Sequence, residues 1–146
     1  MKKILLILVV LFGFNNLSVA QSSVVPNTDP NAADIKFDSE VLDYGTIDWD
    51  ANGLREFKIT NVGKTPLTIT SVTGECGCTA TTIDGKPGWP QEPILPGKSG
   101  VIKVKYDTKR EGRFEKNVTV TSNAKFSTIK VRIKGEIKAK PVVEGN

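Results

Sequence analysis

The chain has 146 residues, with 20 Lys and Arg against 16 Asp and Glu, and contains no His. This length suits one domain of about 100 residues with tails. Without His the chain cannot build a Ser-His or Cys-His nucleophile. It also lacks the commonest metal ligand, and its two Cys cannot complete a usual four-ligand zinc set. We therefore expect no catalytic residues, cofactor or metal, and predict that the protein is not an enzyme.

The N-terminus has the three parts of a secretory signal peptide. Lys2 and Lys3 precede an apolar run over 4–14, and small residues stand at Ser18 and Ala20. The alternative is a membrane anchor, but a spanning helix needs about 20 apolar residues and this run is about half as long. We predict cleavage after Ala20 and export, with the periplasm as the expected location and the cell surface or secretion as alternatives.

The rest of the chain has no second apolar run of spanning length, so we expect no transmembrane segment in the mature chain. Loss of Lys2 and Lys3 with the signal leaves 18 basic against 16 acidic side chains, a net charge of +2. Nucleic-acid-binding proteins carry concentrated basic footprints. We therefore expect no nucleic-acid partner.

The chain divides into four parts. We predict a signal peptide over 1–20, a linker rich in Ser, Asn, Asp and Pro over 21–34, a β domain over 35–138 and a flexible tail over 139–146. Within the domain, apolar residues recur at every second position, as in half-buried strands. The clearest series are Ile35 and Phe37; Leu54, Phe57 and Ile59, with a bulge expected near Arg55; Leu67 and Ile69; Ile102, Val104 and Tyr106; Phe114, Val118 and Val120; and Ile129, Val131, Ile133 and Ile137.

Turn signals separate these series. The segment Asn61–Pro66 predicts a turn between two strands, and Pro96-Gly97 fits a type II turn. Weaker strands are expected at 41–47 and 79–83. About seven to nine short strands in about 100 residues is typical of an all-β antiparallel sandwich, with a small closed barrel as the alternative.

Several of these elements together resemble a known family. They occur in order along the chain: Asn61-x-Gly63-x-x-Pro66-Leu67-x-Ile69, Cys76-Gly77-Cys78-Thr79, Pro96-Gly97, Tyr106-Asp107-Thr108, Gly112-x-Phe114, Asn123 and Gly135. The pattern is similar to the bacterial domain of unknown function 1573, common in exported proteins of the Bacteroidetes type, and to the ASPM, SPD-2 and Hydin domains. The resemblance implies an immunoglobulin-like β-sandwich outside the cytoplasm. It implies no activity and no functional residue.

Cys76-Gly77-Cys78 is the sharpest feature of the domain. In an extended strand the two Cα atoms would be about 6.5 Å apart. A disulfide prefers about 5.5 to 6 Å, so a bridge requires Gly77 to bend the chain. One interpretation is a structural pair, as buried thiols or a local bridge, which an oxidising compartment favours. The others are a redox pair and a two-thiolate Cu(I) site.

Trp89 lies in the longest irregular stretch, 85–93. It is either an exposed anchor for a glycan or peptide, or a cap on one end of the core. Trp49 is open to the same two interpretations. Five basic residues alternate with core positions and form either a basic stripe or the solvated face of a sheet; they are Lys103, Lys105, Lys130, Arg132 and Lys134.

The sequence therefore predicts a non-enzymatic binding or assembly module of the bacterial cell envelope, with an unknown envelope protein or glycan as partner. Its loops and strand edges would carry the function. The alternative is a thiol redox or Cu(I)-handling protein that uses Cys76 and Cys78. A third hypothesis is a chaperone-like strand donor or acceptor.

Overall fold

The computed structural model describes residues 26–142, which contain ten strands. The predicted signal peptide, residues 21–25 of the predicted linker and residues 143–146 of the tail lie outside the described part. No helix within that part has the length and apolar character needed to cross a bilayer. The strands are β1 (Ile35–Phe37), β2 (Val41–Ile47), β3 (Leu54–Asn61), β4 (Ile69–Gly74), β5 (Thr79–Ala80), β6 (Thr82–Ile83), β7 (Lys86–Pro87), β8 (Ser99–Tyr106), β9 (Gly112–Ser122) and β10 (Thr128–Ile137).

Two four-stranded sheets form the sandwich. The first has the order β1-β3-β8-β5 and the second β2-β10-β9-β4, while β6 and β7 form a separate hairpin. Strand partners within a sheet are antiparallel except β2 and β10, which run parallel. Only three residues separate β1 from β2, and the chain changes sheets there. The predicted immunoglobulin-like sandwich is confirmed, and the barrel alternative is wrong because the sheets are separate.

The core lies between the two sheets. Strand alternation buries Ile102, Val104 and Tyr106 of β8 on one side, against Val131 and Ile133 of β10 on the other. An aromatic chain also joins the sheets: Phe114 of β9 stacks on Tyr106 at 3.7 Å and meets Tyr44 of β2 edge-on at 5.3 Å. The core is therefore continuous across both sheets.

The bulge expected near Arg55 is absent, since β3 pairs with β8 in unbroken register. Arg55 takes a core-facing position at the start of β3 and holds its guanidinium 4.4 Å from the ring centre of Tyr44. Such a cation-π contact keeps the charged guanidinium at the edge of the core, while the aliphatic part of the Arg55 side chain packs along apolar surface. The register shifts lie instead at Ile69/Ser71 and Lys134/Glu136.

In two segments the structure differs from the strand and domain boundaries that the sequence predicts. Leu67 is fully buried but lies outside β4 and forms an isolated bridge with Ile94. At the N-terminal side, packing extends upstream of Ile35 into the predicted linker, where Ala32 and Ala33 are buried and Ala33 bridges Ala124. Small apolar residues in a Pro- and Asn-rich stretch give no periodic signal, which is why this contact was not expected.

Candidate functional site

Three loops meet at one end of the sandwich, which we call the loop end. They are 61–68 between β3 and β4, 94–98 before β8, and 122–127 between β9 and β10. Backbone pairs connect the first two loops, with Asn61 and Leu67 bonded to the segment 94–98. In immunoglobulin variable domains, loops clustered at one end of the sandwich form the binding surface.

Asn61 organises the loop end from inside. Its side chain is fully buried and donates to the carbonyls of Thr65 (2.8 Å) and Ile94 (2.9 Å). Its side-chain oxygen accepts from the amides of Gly63 (3.0 Å) and Asp34 (3.4 Å). One amide therefore fixes both loops and the incoming N-terminal segment, and it leaves none of its own polar atoms unpaired.

Gly63 and Asn123 complete this framework. A Cβ on Gly63 would overlap the backbone of Ala32, Ala33 and Asp34, so the close approach of the N-terminal segment needs glycine here. The Asn123 side chain accepts from the Thr68 amide at 2.8 Å and donates to the Pro66 carbonyl at 3.0 Å. Three of the residues that carry the family resemblance, Asn61, Gly63 and Asn123, are thus internal supports of the loop end.

The same loops present apolar side chains to solvent. Val62, Leu95 and Phe126, one from each loop, are 53%, 55% and 50% exposed. Lys64 and Lys98 are exposed beside them, and the three loops contain no acidic residue. Sequence reasoning did not find these positions, because single apolar residues in loops carry no periodic signal; only their shared place at one end distinguishes them.

The Cys76-Gly77-Cys78 segment forms the turn between β4 and β5, toward the opposite end of the sandwich. The structure joins the two Cys in a disulfide with Cα atoms 5.2 Å apart. Cys76 is half-buried, Gly77 is exposed and Cys78 is buried. The bridged state has no free thiolate, so the Cu(I) interpretation applies only to a reduced form and stays a prediction. Among residues 26–142 no group of three or more His, Cys, Asp or Glu is placed to hold a metal ion.

Glu75 ties this turn to β9. Its carboxylate accepts from both the backbone and the side-chain nitrogen of Asn117 at 2.8 Å, and its own amide donates to the Asn117 carbonyl at 3.0 Å. The backbone hydrogen bond from Asn117 lowers the pKa of Glu75 below its ordinary value of 4.5. The turn is therefore anchored by a carboxylate that stays ionised at neutral pH.

Tyr44 and Trp49 are structural residues near the same end. The Tyr44 hydroxyl donates to the Gly53 carbonyl at 2.9 Å, and burial raises the pKa of Tyr44 to about 12 despite the nearby Arg55. The Trp49 indole donates to the Lys109 carbonyl at 3.1 Å and packs on the core.

Trp89 also packs half-buried against the core, in the position of a capping side chain.

Most of the alternating basic residues are ion-paired on the sheet surfaces. Lys103 pairs with Glu56 of the adjacent strand, Arg132 with Glu115, and Lys134 with Asp43 at 3.3 Å. Mixed charges on neighbouring strands neutralise one another. Three of the five alternating basic residues are therefore compensated by acids on neighbouring strands. At the loop end Lys125 is compensated by Asp34 in the same way.

Comparisons with known proteins agree with this architecture. The family described as "Protein of unknown function (DUF1573)" matches residues 35–137. No curated protein sequence matches the chain. A protein of unknown function from Porphyromonas gingivalis W83 is similar at 20% identity and a TM-score of 0.61, over 75% of this chain and 49% of that one.

Two further solved structures share the fold. The ASH/PapD-like domain 7 of human CEP192 is similar at 11% identity and a TM-score of 0.56, over 83% of this chain and 97% of that one. The VesB protease of Vibrio cholerae is similar at 12% identity and a TM-score of 0.51, over 72% of this chain and 32% of that one. The chain thus spans about half of the P. gingivalis protein and a third of the protease. These likenesses show the fold alone.

Proposed function

Because the chain belongs to the DUF1573 family, whose function is unknown, we propose a function from its own surface: an exported, non-enzymatic module that binds a protein of the bacterial cell envelope through the loop end. Export rests on the signal-peptide pattern that ends at Ala20. Binding rests on the immunoglobulin-like scaffold and on the loops that it holds.

The observation that carries the proposal is the contrast between the inside and the outside of the loop end. Inside, Asn61 is fully buried and fully hydrogen-bonded. Outside, Val62, Leu95 and Phe126 expose half of their surface. Rigid loops that present apolar side chains lose little conformational entropy on association, which favours binding.

The charges define the partner's chemistry. Lys64 and Lys98 lie in the same loops as the apolar side chains. The third lysine, Lys125, forms an ion pair with Asp34 at 3.4 Å. A complementary protein surface has an apolar centre with acidic groups at its rim, because charge complementarity at a rim steers encounter. A glycan partner would instead use polar contacts and would depend little on Leu95 and Phe126.

The strand edges support binding by loops rather than by strand addition. In the first sheet the edge strands β1 and β5 have three and two residues, which is short for pairing with another chain. In the second sheet the Val72 carbonyl of β4 accepts from the Thr81 hydroxyl at 2.7 Å. In β2 the Gly45 amide donates to the Asp43 side chain at 2.8 Å, and Gly45 has a φ of 63°. Both features interrupt the edge at which another strand would pair.

A crosslinking pull-down from the envelope of the producing bacterium tests the proposal. The bait proteins are the wild type, the double variant Leu95→Ser/Phe126→Ser, and Val142→Ser as a matched control. Val142 is 89% exposed and follows β10 at the far end, so its change removes an exposed apolar side chain outside the loop end. We expect one envelope protein to be captured by the wild type and the control at similar yield, and at least tenfold less by the double variant.

Two results would contradict the proposal. Equal capture by all three baits would place the binding surface elsewhere. Capture of a glycan that is indifferent to the double variant would replace the protein partner. The circular dichroism spectrum and melting temperature of each bait confirm that the comparison is between folded proteins.

A further inference from the structure

The two cysteines of the Cys76–Cys78 disulfide differ in exposure. The bridge lies in the turn between β4 and β5, where Cys76 is half-buried and its neighbour Gly77 is exposed. Cys78 is only 4% exposed. Thiol–disulfide exchange begins when a thiolate attacks one sulfur of the bridge, and access decides which sulfur is attacked. An incoming thiolate therefore reaches Cys76, and Cys78 is the sulfur that leaves.

Hydrogen bonds hold the turn in addition to the bridge. The Thr79 amide donates to the Cys76 carbonyl at 3.1 Å, and the Asp107 amide donates to the Cys78 carbonyl at 2.8 Å. Glu75 and Asn117 hold the start of the turn through backbone and side-chain bonds. A disulfide between residues two apart closes a very short loop, which stabilises a fold much less than a long loop does. Breaking the bridge should leave the domain folded and both thiols close together.

The surroundings of Cys78 suit a leaving thiolate. The Thr79 hydroxyl lies 3.8 Å from the Cys78 sulfur and can donate to it. Cys78 also lines a surface depression of about 200 Å³, together with Lys105 and Asp107 among others. A hydroxyl donor stabilises a thiolate and makes it a better leaving group.

We propose that Cys76 and Cys78 form a thiol–disulfide exchange site that takes a protein dithiol as its substrate. A thiolate of the dithiol attacks the Cys76 sulfur and forms a mixed disulfide, while the bond to Cys78 breaks and the Cys78 sulfur leaves with the electron pair and then takes a proton. The second thiolate of the dithiol attacks the substrate sulfur of the mixed disulfide and releases the Cys76 thiolate, which also takes a proton. The dithiol is oxidised by two electrons and the Cys pair is reduced by two.

The proposal does not depend on the loop end, since the Cys turn contacts Asp107, which follows β8, whereas the loop end precedes β8. A failed pull-down with the loop-end variant would not affect the proposal of a thiol–disulfide exchange site. Equally, an inert disulfide would not affect the binding proposal.

The first test reduces the purified protein with dithiothreitol, a small dithiol, under native conditions. Thiols are trapped with an alkylating agent and counted by mass, and the melting temperature is measured on the same sample. We expect complete reduction with a fall in melting temperature of only a few degrees, and re-oxidation by glutathione disulfide. Reduction that occurs only in denaturant, or that unfolds the domain, would overturn the proposal.

The second test separates the two sulfurs with the matched variants Cys78→Ser and Cys76→Ser, each of which leaves one thiol. We expect the thiol of Cys78→Ser to exchange with an aromatic disulfide reagent at least tenfold faster than that of Cys76→Ser. Equal rates would overturn the assignment of Cys76 as the attacked sulfur. If either variant fails to fold, the oxidised wild type is treated with reduced glutathione, a monothiol, the freed thiol is alkylated, and peptide mapping locates the glutathione; attachment mainly at Cys78 would overturn the assignment.

Discussion

At the scale of single residues, three of the residues that carry the family resemblance hold the backbone of the loop end in place. Asn61 bonds two loops and the N-terminal segment, Gly63 allows that segment to pass, and Asn123 fixes the β9–β10 loop to Pro66 and Thr68. Their roles need a specific polar group or the absence of a Cβ. Substitutions at these positions should therefore affect stability before they affect binding.

Asn61→Ala should destabilise the domain strongly. It removes the side-chain partner of the Thr65 carbonyl and of the Gly63 amide, both part-buried, and one of the two donors to the Ile94 carbonyl, and an unpaired buried polar group costs about 1–3 kcal/mol. We expect a loss of about 3 kcal/mol in the free energy of unfolding, measured by urea denaturation. The control is Asn52→Ala, an exposed residue whose side chain accepts one bond from Leu54, for which we expect a loss below about 1 kcal/mol. Similar losses for both variants would contradict the role assigned to Asn61.

Gly63→Ala and Gly77→Ala form a second matched pair. The added methyl group overlaps the backbone of Ala32, Ala33 and Asp34 at position 63, but meets nothing within 4 Å at position 77. Overpacking costs about 1–3 kcal/mol, so we expect Gly63→Ala to lose about 2 kcal/mol and Gly77→Ala to stay within about 0.5 kcal/mol of the wild type. Urea denaturation of both variants checks this, and an equal effect at the two positions would refute the close-approach argument.

At the scale of elements, alternation of apolar residues predicted the long strands well, because one face of each sheet is buried and the side-chain period is two. The pattern failed where burial does not follow that period. Arg55 occupies a core-facing position because its guanidinium rests on Tyr44, so a charged residue interrupted the apolar series without a bulge. Ala33 is buried through an isolated bridge to Ala124, which local patterns do not encode. Leu67 is buried as its series with Ile69 predicts, but it pairs with Ile94 outside β4.

The candidate site was predictable only in part, for a similar reason. The Cys pair is visible in the sequence because two Cys stand two residues apart. The apolar side chains of the loop end cannot be recognised in the sequence. Val62 and Leu95 are 33 residues apart, Leu95 and Phe126 are 31 apart, and only the fold brings their loops to one end. Trp89 is a large aromatic residue in a predicted loop, and the structure packs it half-buried on the core.

The contact between the Cys turn and β9 gives a prediction about pH. Because the folded pKa of Glu75 lies below 4.5, the Glu75–Asn117 bonds contribute fully above that ordinary value and are lost as the pH falls through the folded pKa. The backbone amide resonance of Asn117 should titrate in NMR spectra with a midpoint below 4.5. In Glu75→Gln this titration should vanish while neighbouring strand resonances stay unchanged. A midpoint at or above 4.5 would show that the hydrogen bond does not stabilise the carboxylate.

At the scale of the whole molecule, the two ends of the sandwich have different chemistry. The loop end combines buried polar supports with exposed apolar side chains and unpaired lysines, whereas the opposite region carries the Cys76–Cys78 disulfide. Ion pairs between neighbouring strands lie on the sheet faces between them. The two proposed roles, partner binding and thiol exchange, therefore belong to separate regions of the sandwich.

The central claim is that the loop end is the contact surface, and site-specific photocrosslinking in the producing bacterium tests it most directly. A photoreactive phenylalanine analogue replaces Phe126 in one strain and Val142 in a control strain; both side chains are at least half exposed. The account predicts a discrete crosslinked product with an envelope protein from position 126 and none from position 142. The absence of a product at position 126, or the same product from both positions, would contradict it.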